Sequence, residues 1–310
     1  MLAYIARRLL YLLPTIFGVA LLVFLLFNVA GPDPVRLALG QHASAEAIAD
    51  KQAEWGLDKS LPAQFGDFLV QIVTFDYGRS YESGEPLSAM FTKGATVSLS
   101  LTAPPFIFSL VLNCFLAMLI AYKRGTFLDR FATAGAVMAM SVSYLVYIIG
   151  FQYIFVDQLE WFTADNFERG WRSVYYLLLP WIIMLTVSVG PDIRMYRTFF
   201  LDEMNADYVR TARAKGVREP GVLFKHVLKN VSIPILTYTV VSIPFLILGA
   251  FLMERFFSLP GLGNLLITAI QNGDYPVLKG LTMYIAIGYS LFNLLTDVLY
   301  AWVDPRVNLS

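Results

Sequence analysis

The sequence predicts an all-α integral membrane protein, and two observations support that fold class. Of the 310 residues, 57% are hydrophobic and only 15% are charged, and the mean hydropathy of +0.61 is too apolar for an ordinary soluble domain. Stretches without charge also recur, each near the ~20 residues that a helix needs to cross a bilayer. Six transmembrane helices are therefore expected, at residues 9–32, 94–122, 131–156, 173–191, 230–253 and 280–296.

The first apolar stretch follows Arg7 and Arg8, as the apolar core of a signal peptide follows its basic start. A signal core is usually ~7–15 residues long and ends at a small-x-small cleavage site. This stretch is longer, and no such site follows it. We therefore expect a permanent helix.

The basic residues predict the orientation of these helices. The segment 31–93 is left out because long loops count little. Of the remaining Lys and Arg residues in loops, 14 lie on the same side of the membrane as the N-terminus and 4 on the opposite side. Positively charged loops stay in the cytoplasm. Both termini are therefore expected in the cytoplasm, and 31–93 becomes an extracytoplasmic insert.

Within the insert, residues 44–56 predict a helix with Ser44 as its N-cap and Gly56 as its stop. Residues 61–75 repeat apolar side chains at helical spacing, which is typical of an amphipathic helix at a membrane surface. Both helices are expected to pack against the first spans. The chain is accordingly divided into 1–93, the first span with its insert, and 94–310, a five-helix core that includes the loop 200–230.

The long cytoplasmic loop 192–229 holds eight of the 23 basic residues. Its pattern predicts a helix over 201–215 with Leu201, Met204, Tyr208 and Ala212 on one stripe. Gly216 would end that helix, and Pro220 would open a second one with Phe224 on its apolar stripe. The basic residues suit either attraction to anionic lipid or contacts with a partner protein. The small Ala212, Ala214 and Gly216 favour a partner that approaches closely.

The segment "DYVRTARAKG" (207–216), followed by "HVLKN" and "IP", resembles the coupling loop of binding-protein-dependent ABC importers. Arg210-Thr211-Ala212 replaces the usual Glu-Ala-Ala, a departure common in the dipeptide, oligopeptide and nickel branch. "GPDPV", "WGLDKSLPAQF", "FDYGRS", "ERFFSLPGLGNLL" and "NLLTDVLYAWVDPRV" extend the resemblance over nearly the whole chain. The resemblance implies the B-type permease subunit of a type I importer. It assigns the ATPase contact to Asp207, Tyr208, Arg210, Thr211, Ala212, Arg213, Ala214, Lys215, Gly216 and Val217.

The same resemblance implies the partners: a second, homologous but non-identical permease, two ATPase subunits that bind ATP and Mg, and an extracytoplasmic substrate-binding protein. It places the chain in the bacterial cytoplasmic membrane. The sequence has no G-x-x-x-x-G-K-[ST] phosphate-binding motif. Its two histidines, His42 and His226, are predicted in opposite compartments, so they cannot form a metal site together. No cofactor, metal, catalytic residue or nucleic acid is expected for this chain.

The resemblance implies import of di- and oligopeptides, with nickel chelates or oligosaccharides as alternative substrates. A stand-alone secondary transporter is less favoured, because no inverted repeat or central cluster of acids is visible. A membrane-embedded enzyme is also less favoured, because no catalytic set is visible.

Two further groups of residues are candidates for a functional role, one at a turn outside the membrane and one within the predicted spans. Phe257, Pro260, Gly261 and Gly263 form a tight turn after the fifth predicted span. That turn is interpreted either as a packing hairpin or as an outer gate or docking surface for the binding protein. Asn113, Asn293 and Asp297 lie within predicted spans, where ionisable groups are often functional. Asp297 either lines the pathway or pairs with Arg194 or Arg306.

Overall fold

The computed structural model describes residues 2–39, 44–164, 167–168, 170, 172–248 and 251–303. These residues form helices joined by turns and short loops. Apart from one isolated bridge between Arg79 and Pro86, these residues form no β-structure. His42 and Arg306 lie outside the described residues. The helices are α1 Leu2–Phe24, α2 Pro34–Leu39, α3 Ala45–Glu54, α4 Leu61–Thr74, α5 Leu87–Tyr122, α6 Phe127–Ser141, α7 Tyr144–Gln152, α8 Ser173–Met204, α9 Asp207–Ala214, α10 Glu219–Gly221, α11 Leu228–Val240, α12 Phe245–Leu248, α13 Phe251–Phe256, α14 Leu262–Asn272 and α15 Tyr275–Val303. Three π-helical segments, Leu25–Ala30, Tyr153–Gln158 and Val222–Val227, continue α1, α7 and α10.

Four helical segments in the described chain are long and apolar enough to cross a membrane: Arg7–Ala30, Leu87–Tyr122, Ser173–Met204 and Tyr275–Leu299. The third predicted span is bent by 93° between Ser141 and Tyr144, so it adds a fifth span only if both halves count as one. The fifth predicted span, 230–253, is divided among α11, α12 and α13. The all-α membrane fold is confirmed, while the count of six spans stays a prediction.

The helix of the fourth predicted span extends beyond its predicted end. The charge-free stretch ends at Pro191, and the charges that begin at Asp192 predict a loop. The helix α8 nevertheless runs on to Met204, with Pro191 inside it. The chain then breaks at Ala206, whose backbone is extended. The predicted helix 201–215 is therefore wrong: its first part belongs to α8 and the rest forms the separate helix α9.

The insert folds largely as expected. Ser44 caps α3 by accepting a hydrogen bond from the Ala47 backbone N–H at 3.2 Å, and Gly56 follows that helix with φ +67°. Phe68 and Ile72 of α4 are buried in a hydrophobic cluster that includes Phe24 of α1. Packing of the insert helix α4 against the first span is thus confirmed.

The helix α5 connects the two ends of the molecule. Its 36 residues span about 54 Å at 1.5 Å per residue. Its first turns, at Leu87 and Phe91, pack with the insert, α14 and α15. Its last turns, at Met118 and Ala121, pack with α9. The insert and α9 therefore lie at opposite ends of α5. The predicted division at residue 93 falls inside this helix.

Candidate coupling segment and membrane cleft

The short helix α9 is ended by a glycine that the backbone requires. Gly216 has φ +77°, in the left-handed region that favours glycine. The Val217 N–H donates to the Ala212 carbonyl at 3.2 Å, and the Gly216 N–H donates to the Arg213 carbonyl at 2.9 Å. This pair of bonds is the Schellman arrangement. It turns the chain sharply between α9 and α10.

One face of α9 is buried against its own chain. Val209 and Ala212 are buried in a cluster with Met118 of α5, Phe200 of α8 and Val227 of the π-helical segment. Of the two predicted apolar stripes, Leu201, Met204 and Ala212 of the first do pack in or against this cluster. The prediction is wrong at Tyr208 of the first stripe and at Phe224 of the second, because both side chains are exposed. The small size of Ala212 serves packing within this chain, so its side chain is not available to a partner.

The other face of α9 is charged and exposed. Asp207 and Arg210 form an exposed pair at 3.5 Å, and the remaining exposed residues of the segment are Thr211, Arg213, Ala214, Lys215, Gly216 and Val217. An exposed pair of this kind contributes little to stability. These side chains are therefore free to contact another surface.

Two hydrogen-bonded pairs hold α9 in place. Arg213 Nε donates to Glu219 Oε1 at 2.9 Å across the glycine turn. The Tyr208 hydroxyl donates to Glu203 at the end of α8. Partial burial of the phenol, and then its hydrogen bond to Glu203, raise the pKa of Tyr208 to about 12. The phenol is therefore protonated at neutral pH and acts as a donor. The segment is fixed at both ends.

A buried ion pair at the same end of the molecule was missing from the sequence predictions. Arg197 of α8 donates from Nε to Asp129 Oδ1 at 2.8 Å and from Nη2 to Asp129 Oδ2 at 3.0 Å. The Gly125 N–H adds a third bond to that carboxylate at 2.9 Å. Asp129 lies in the short stretch between the predicted spans 94–122 and 131–156, so the sequence gave no sign of its burial. The pair fixes α6 to α8 beside α9.

The turn before α14 is built around Glu254, which the sequence did not single out. Its fully buried carboxylate accepts from Ser98 Oγ of α5 at 2.6 Å and from the Asn264 N–H at 3.0 Å. A Cβ at Gly261 would lie 2.3 Å from the Glu254 carboxyl carbon, and one at Gly263 would lie 2.6 Å from the Phe251 backbone. Both glycines are needed for this close approach.

The other residues predicted at this turn take different positions. Phe257 is buried with residues of α5, α7 and α8. Pro260 is exposed. The helix α14 follows the turn directly.

The three polar candidates of the predicted spans are separated. Asn113 is fully buried, and its Nδ2 donates to Ser188 Oγ at 3.1 Å and to Asp192 Oδ2 at 2.9 Å. Asn293 is exposed on α15. Asp297 pairs with Arg8 at 3.2 Å and so ties α15 to α1. Its expected pairing with Arg194 is wrong, because the basic start of α1 is the segment that lies beside it.

Asp192 is a second acid inside a long helix, and the sequence had placed it in a loop. It lines a cleft of about 280 Å³ between α5, α8 and the α11–α12 region, together with Ser109, Ser188, Tyr238 and Ser242. Apolar side chains such as Phe106, Leu110 and Met184 complete the lining, but a carboxylate inside a spanning helix is costly in hydrocarbon. The cleft is therefore a candidate for the wall of an aqueous path.

The insert is joined to the start of α15 by a further buried acid. Asp274 accepts from the Ser80 hydroxyl and from the Tyr81 N–H at 3.2 Å, and Tyr81 stacks on Trp55 at a centroid distance of 3.5 Å. A cavity of about 760 Å³ beside this junction is lined by Tyr77 and Lys279, among others. The "FDYGRS" and "DYP" segments of the sequence therefore meet in space.

Together these features define a polytopic helical membrane protein with a charged, rigidly held helix at one end and a folded insert at the other. Comparison with known proteins then gives the family. The family model for the binding-protein-dependent transport system inner membrane component matches residues 113–309, and the model for the N-terminal region of such membrane components matches residues 1–102. The chain belongs to this family.

Relatives match along their whole length. The chain is 31% identical to the dipeptide transport system permease protein DppB of Alkalihalophilus pseudofirmus, over 99% of both chains. It is 33% identical to the glutathione transport system permease protein GsiC of Salmonella typhimurium, again over 99% of both. It is also 33% identical to a probable peptide ABC transporter permease protein, y4tP, of Sinorhizobium fredii, over 98% of both.

Proposed function

We propose that this chain is one of two homologous, non-identical permease subunits of an ATP-driven importer that carries di- and oligopeptides across the bacterial cytoplasmic membrane. The transport function follows from the family. The choice of peptides is supported by the names of the relatives, which refer to dipeptide, glutathione and peptide transport. A binding protein outside the cell would deliver the peptide, and two partner ATPases would bind and hydrolyse ATP.

The observation that carries the coupling role is the two-faced packing of α9. Val209 and Ala212 anchor it on the ends of α5 and α8, while Arg210 and its exposed neighbours remain open to a partner. Because interiors are close-packed and transmit displacement, a push on α9 moves the ends of both long helices. We assign the ATPase contact to the exposed members of the segment, and a supporting role to the buried Ala212.

The link from α9 continues into the membrane. The Tyr196 hydroxyl of α8 and the Thr239 hydroxyl of α11 are 3.0 Å apart, and Arg197 fixes α6 through Asp129. The elements around α9 therefore move as one body. Rigid-body rotation of such a unit would open the path alternately to each side, as in other switching assemblies, and ATP binding would bias the two states.

The orientation follows if α9 meets cytoplasmic ATPases. The opposite end of α5, with the insert and α14, would then lie outside, as the distribution of basic residues also predicts. Arg8 and Asp297 are paired, so the N-terminal start and the end of α15 would both lie near the cytoplasmic face. On the outer side, the exposed Pro260 is available to a docked binding protein. The rigid turn at Gly261 and Gly263 would form part of the outer gate.

A charge reversal tests the coupling role. Arg210→Glu places an acid on the exposed face of α9 without touching the buried cluster. We expect less ATPase to copurify in mild detergent and at least a several-fold loss of peptide-stimulated ATP hydrolysis and of ATP-dependent peptide uptake in vesicles. Rim charges of this kind act mainly on association.

Arg172→Glu is the matched control. Arg172 and Arg210 have the same exposed fraction, 72%, and each pairs with an acid one turn away, but Arg172 lies at the other end of α8. We expect this control to copurify and transport normally. Equal behaviour of the two variants would contradict the assignment of α9. Peptide uptake by the chain alone, without ATP, would contradict the proposed function itself.

A further inference from the structure

The cleft between α5, α8 and the α11–α12 region contains a carboxylate, Asp192, that has no cationic partner among the residues the structure describes. Asp192 is half-buried and accepts one hydrogen bond from the neutral Asn113 at 2.9 Å. It takes no part in the ion pairs found among the described residues. The carboxylates of Asp129 and Asp297, by contrast, each have an arginine. An ionised group inside a spanning helix is costly and normally marks a function or a partner.

The lining of the cleft indicates what that partner would be. Ser109, Ser188, Tyr238 and Ser242 line the cleft with Asp192, beside apolar side chains such as Phe106 and Leu246. They supply no positive charge, so an anion would be repelled and a cation attracted. Tyr196 is only 2% exposed and packs against Tyr238 with ring centroids 5.9 Å apart, so Tyr238 is the ring of this pair that can offer aromatic surface to a cation. The site therefore fits an ammonium group.

The size of the cleft limits how much of a ligand it can hold. Its 280 Å³ lies just below the ~300–1,000 Å³ of pockets that enclose a whole small molecule. A single residue at one end of a peptide fits better than an entire oligopeptide. The size of the cleft therefore agrees with a contact that one residue of the peptide makes as the peptide passes through the subunit.

We propose that Asp192 binds a positively charged ammonium group of the peptide, most simply its free amino terminus, as the peptide crosses the inner half of this subunit. This inference rests on the proposed peptide transport. Its chemistry is a charge-assisted hydrogen bond from the ammonium to the carboxylate, of the class that exceeds neutral hydrogen bonds in strength. A lysine side chain would offer the same group.

A structural role for Asp192 makes a different prediction. Its bond with Asn113 also ties α8 to α5, and loss of that tie would slow transport of every substrate. Asp192→Asn removes the charge but keeps a side-chain oxygen that can accept from Asn113. Asn113→Ala removes the tie and keeps the charge. The two variants separate recognition from packing.

The experiment uses the complete transporter in vesicles, with saturating binding protein whose peptide affinity is measured separately. Uptake is compared for trialanine, N-acetyl-trialanine and N-acetyl-Ala-Lys-Ala. We expect Asp192→Asn to lower the maximal uptake rate of trialanine about tenfold and to leave N-acetyl-trialanine unchanged, whereas Asp192→Glu stays within about threefold of the natural protein. A selective loss with N-acetyl-Ala-Lys-Ala would show that a side-chain ammonium is also bound. Asp202→Asn, an exposed acid farther along α8, is the matched control and should change nothing.

A second measurement does not require blocked peptides to be transported. Asp192→Cys is made with Cys114→Ser, since Cys114 is the sole cysteine of the chain. A sulfonate-bearing thiol reagent should restore trialanine uptake to Asp192→Cys, and an ammonium-bearing reagent should not. Equal losses for free and blocked peptides, no loss in Asp192→Asn, or rescue by both reagents would each overturn the proposal. Absence of ATP-dependent uptake by the natural complex would instead refute the proposed function.

Discussion

The turn that Glu254 organises gives a prediction whose size follows from the structure. In Gly261→Ala, the new Cβ would lie 2.3 Å from the carboxyl carbon and 2.4 Å and 2.5 Å from the two oxygens of Glu254. Real carbon atoms do not approach so closely, so the carboxylate must move by roughly an ångström. That movement breaks its bonds from Ser98 Oγ, at 2.6 Å, and from the Asn264 N–H, at 3.0 Å.

The cost can be worked from those two bonds. Leaving a buried hydrogen-bonding group without its partner costs about 1–3 kcal/mol. With two bonds lost, Gly261→Ala is expected to lower the free energy of unfolding by about 2–6 kcal/mol. In Glu254→Ala the carboxylate is gone, and the loss is similar because Ser98 and the Asn264 N–H lose their acceptor. The double variant should be no worse than Glu254→Ala alone, because the new Cβ then has room.

The assay is a double-mutant cycle on the detergent-solubilised protein, unfolded by SDS titration and checked by the folded fraction after heating. Gly150→Ala is the control: it lies in α7, and its Cβ would meet no atom within 4 Å. Alanine in a helix is favoured over glycine by up to ~1 kcal/mol, so this variant should be neutral or slightly more stable. If the losses from Gly261→Ala and Glu254→Ala add in the double variant, the steric explanation is wrong.

Three further outcomes follow from the geometry. Gly216→Ala should lower the free energy of unfolding by about 1–2 kcal/mol. The cause is the φ of +77° alone, because the new Cβ would meet no atom within 4 Å. Gly216→Asn should cost less, and equal stability of the natural protein and both variants by SDS titration would contradict this. Arg197→Met should lower the free energy of unfolding by on the order of 3 kcal/mol, because it leaves the buried Asp129 carboxylate without its cation. Arg210→Met, at an exposed pair, should lower it by under about 1 kcal/mol. Similar unfolding midpoints for the two variants would refute this reasoning. Tyr77→Phe removes a buried hydroxyl for which the described part of the chain supplies no hydrogen-bond partner, so the free energy of unfolding should stay equal or rise by about 1 kcal/mol, and a clear loss would contradict this reasoning.

Helix ends show where sequence patterns fail. The charges after Pro191 predict a loop, yet α8 continues to Met204, because a helix can leave the membrane without ending. The segment 131–156 has the length of one span, but it bends by 93°. Hydropathy measures solvent preference and carries no information about direction.

The sequence by itself determined the fold class and the family, and it located the charged segment that contains α9. Those depend on apolar runs of bilayer length and on local signals such as Ser44, Gly56 and Gly216, whose effects are confined to a few residues. The motifs around these residues are also local, so they were recognisable without coordinates.

Only the tertiary structure decided which residues of those motifs face inward and which long-range pairs form. Ala212 was expected to receive a partner and instead packs within the chain. Asp297 is paired with Arg8, 289 positions earlier in the numbering. Glu254 requires Gly261 and meets Ser98 from α5. A buried charge is stabilised only by the groups packed around it, and in a helical membrane protein those groups come from helices whose neighbours are set by the whole fold.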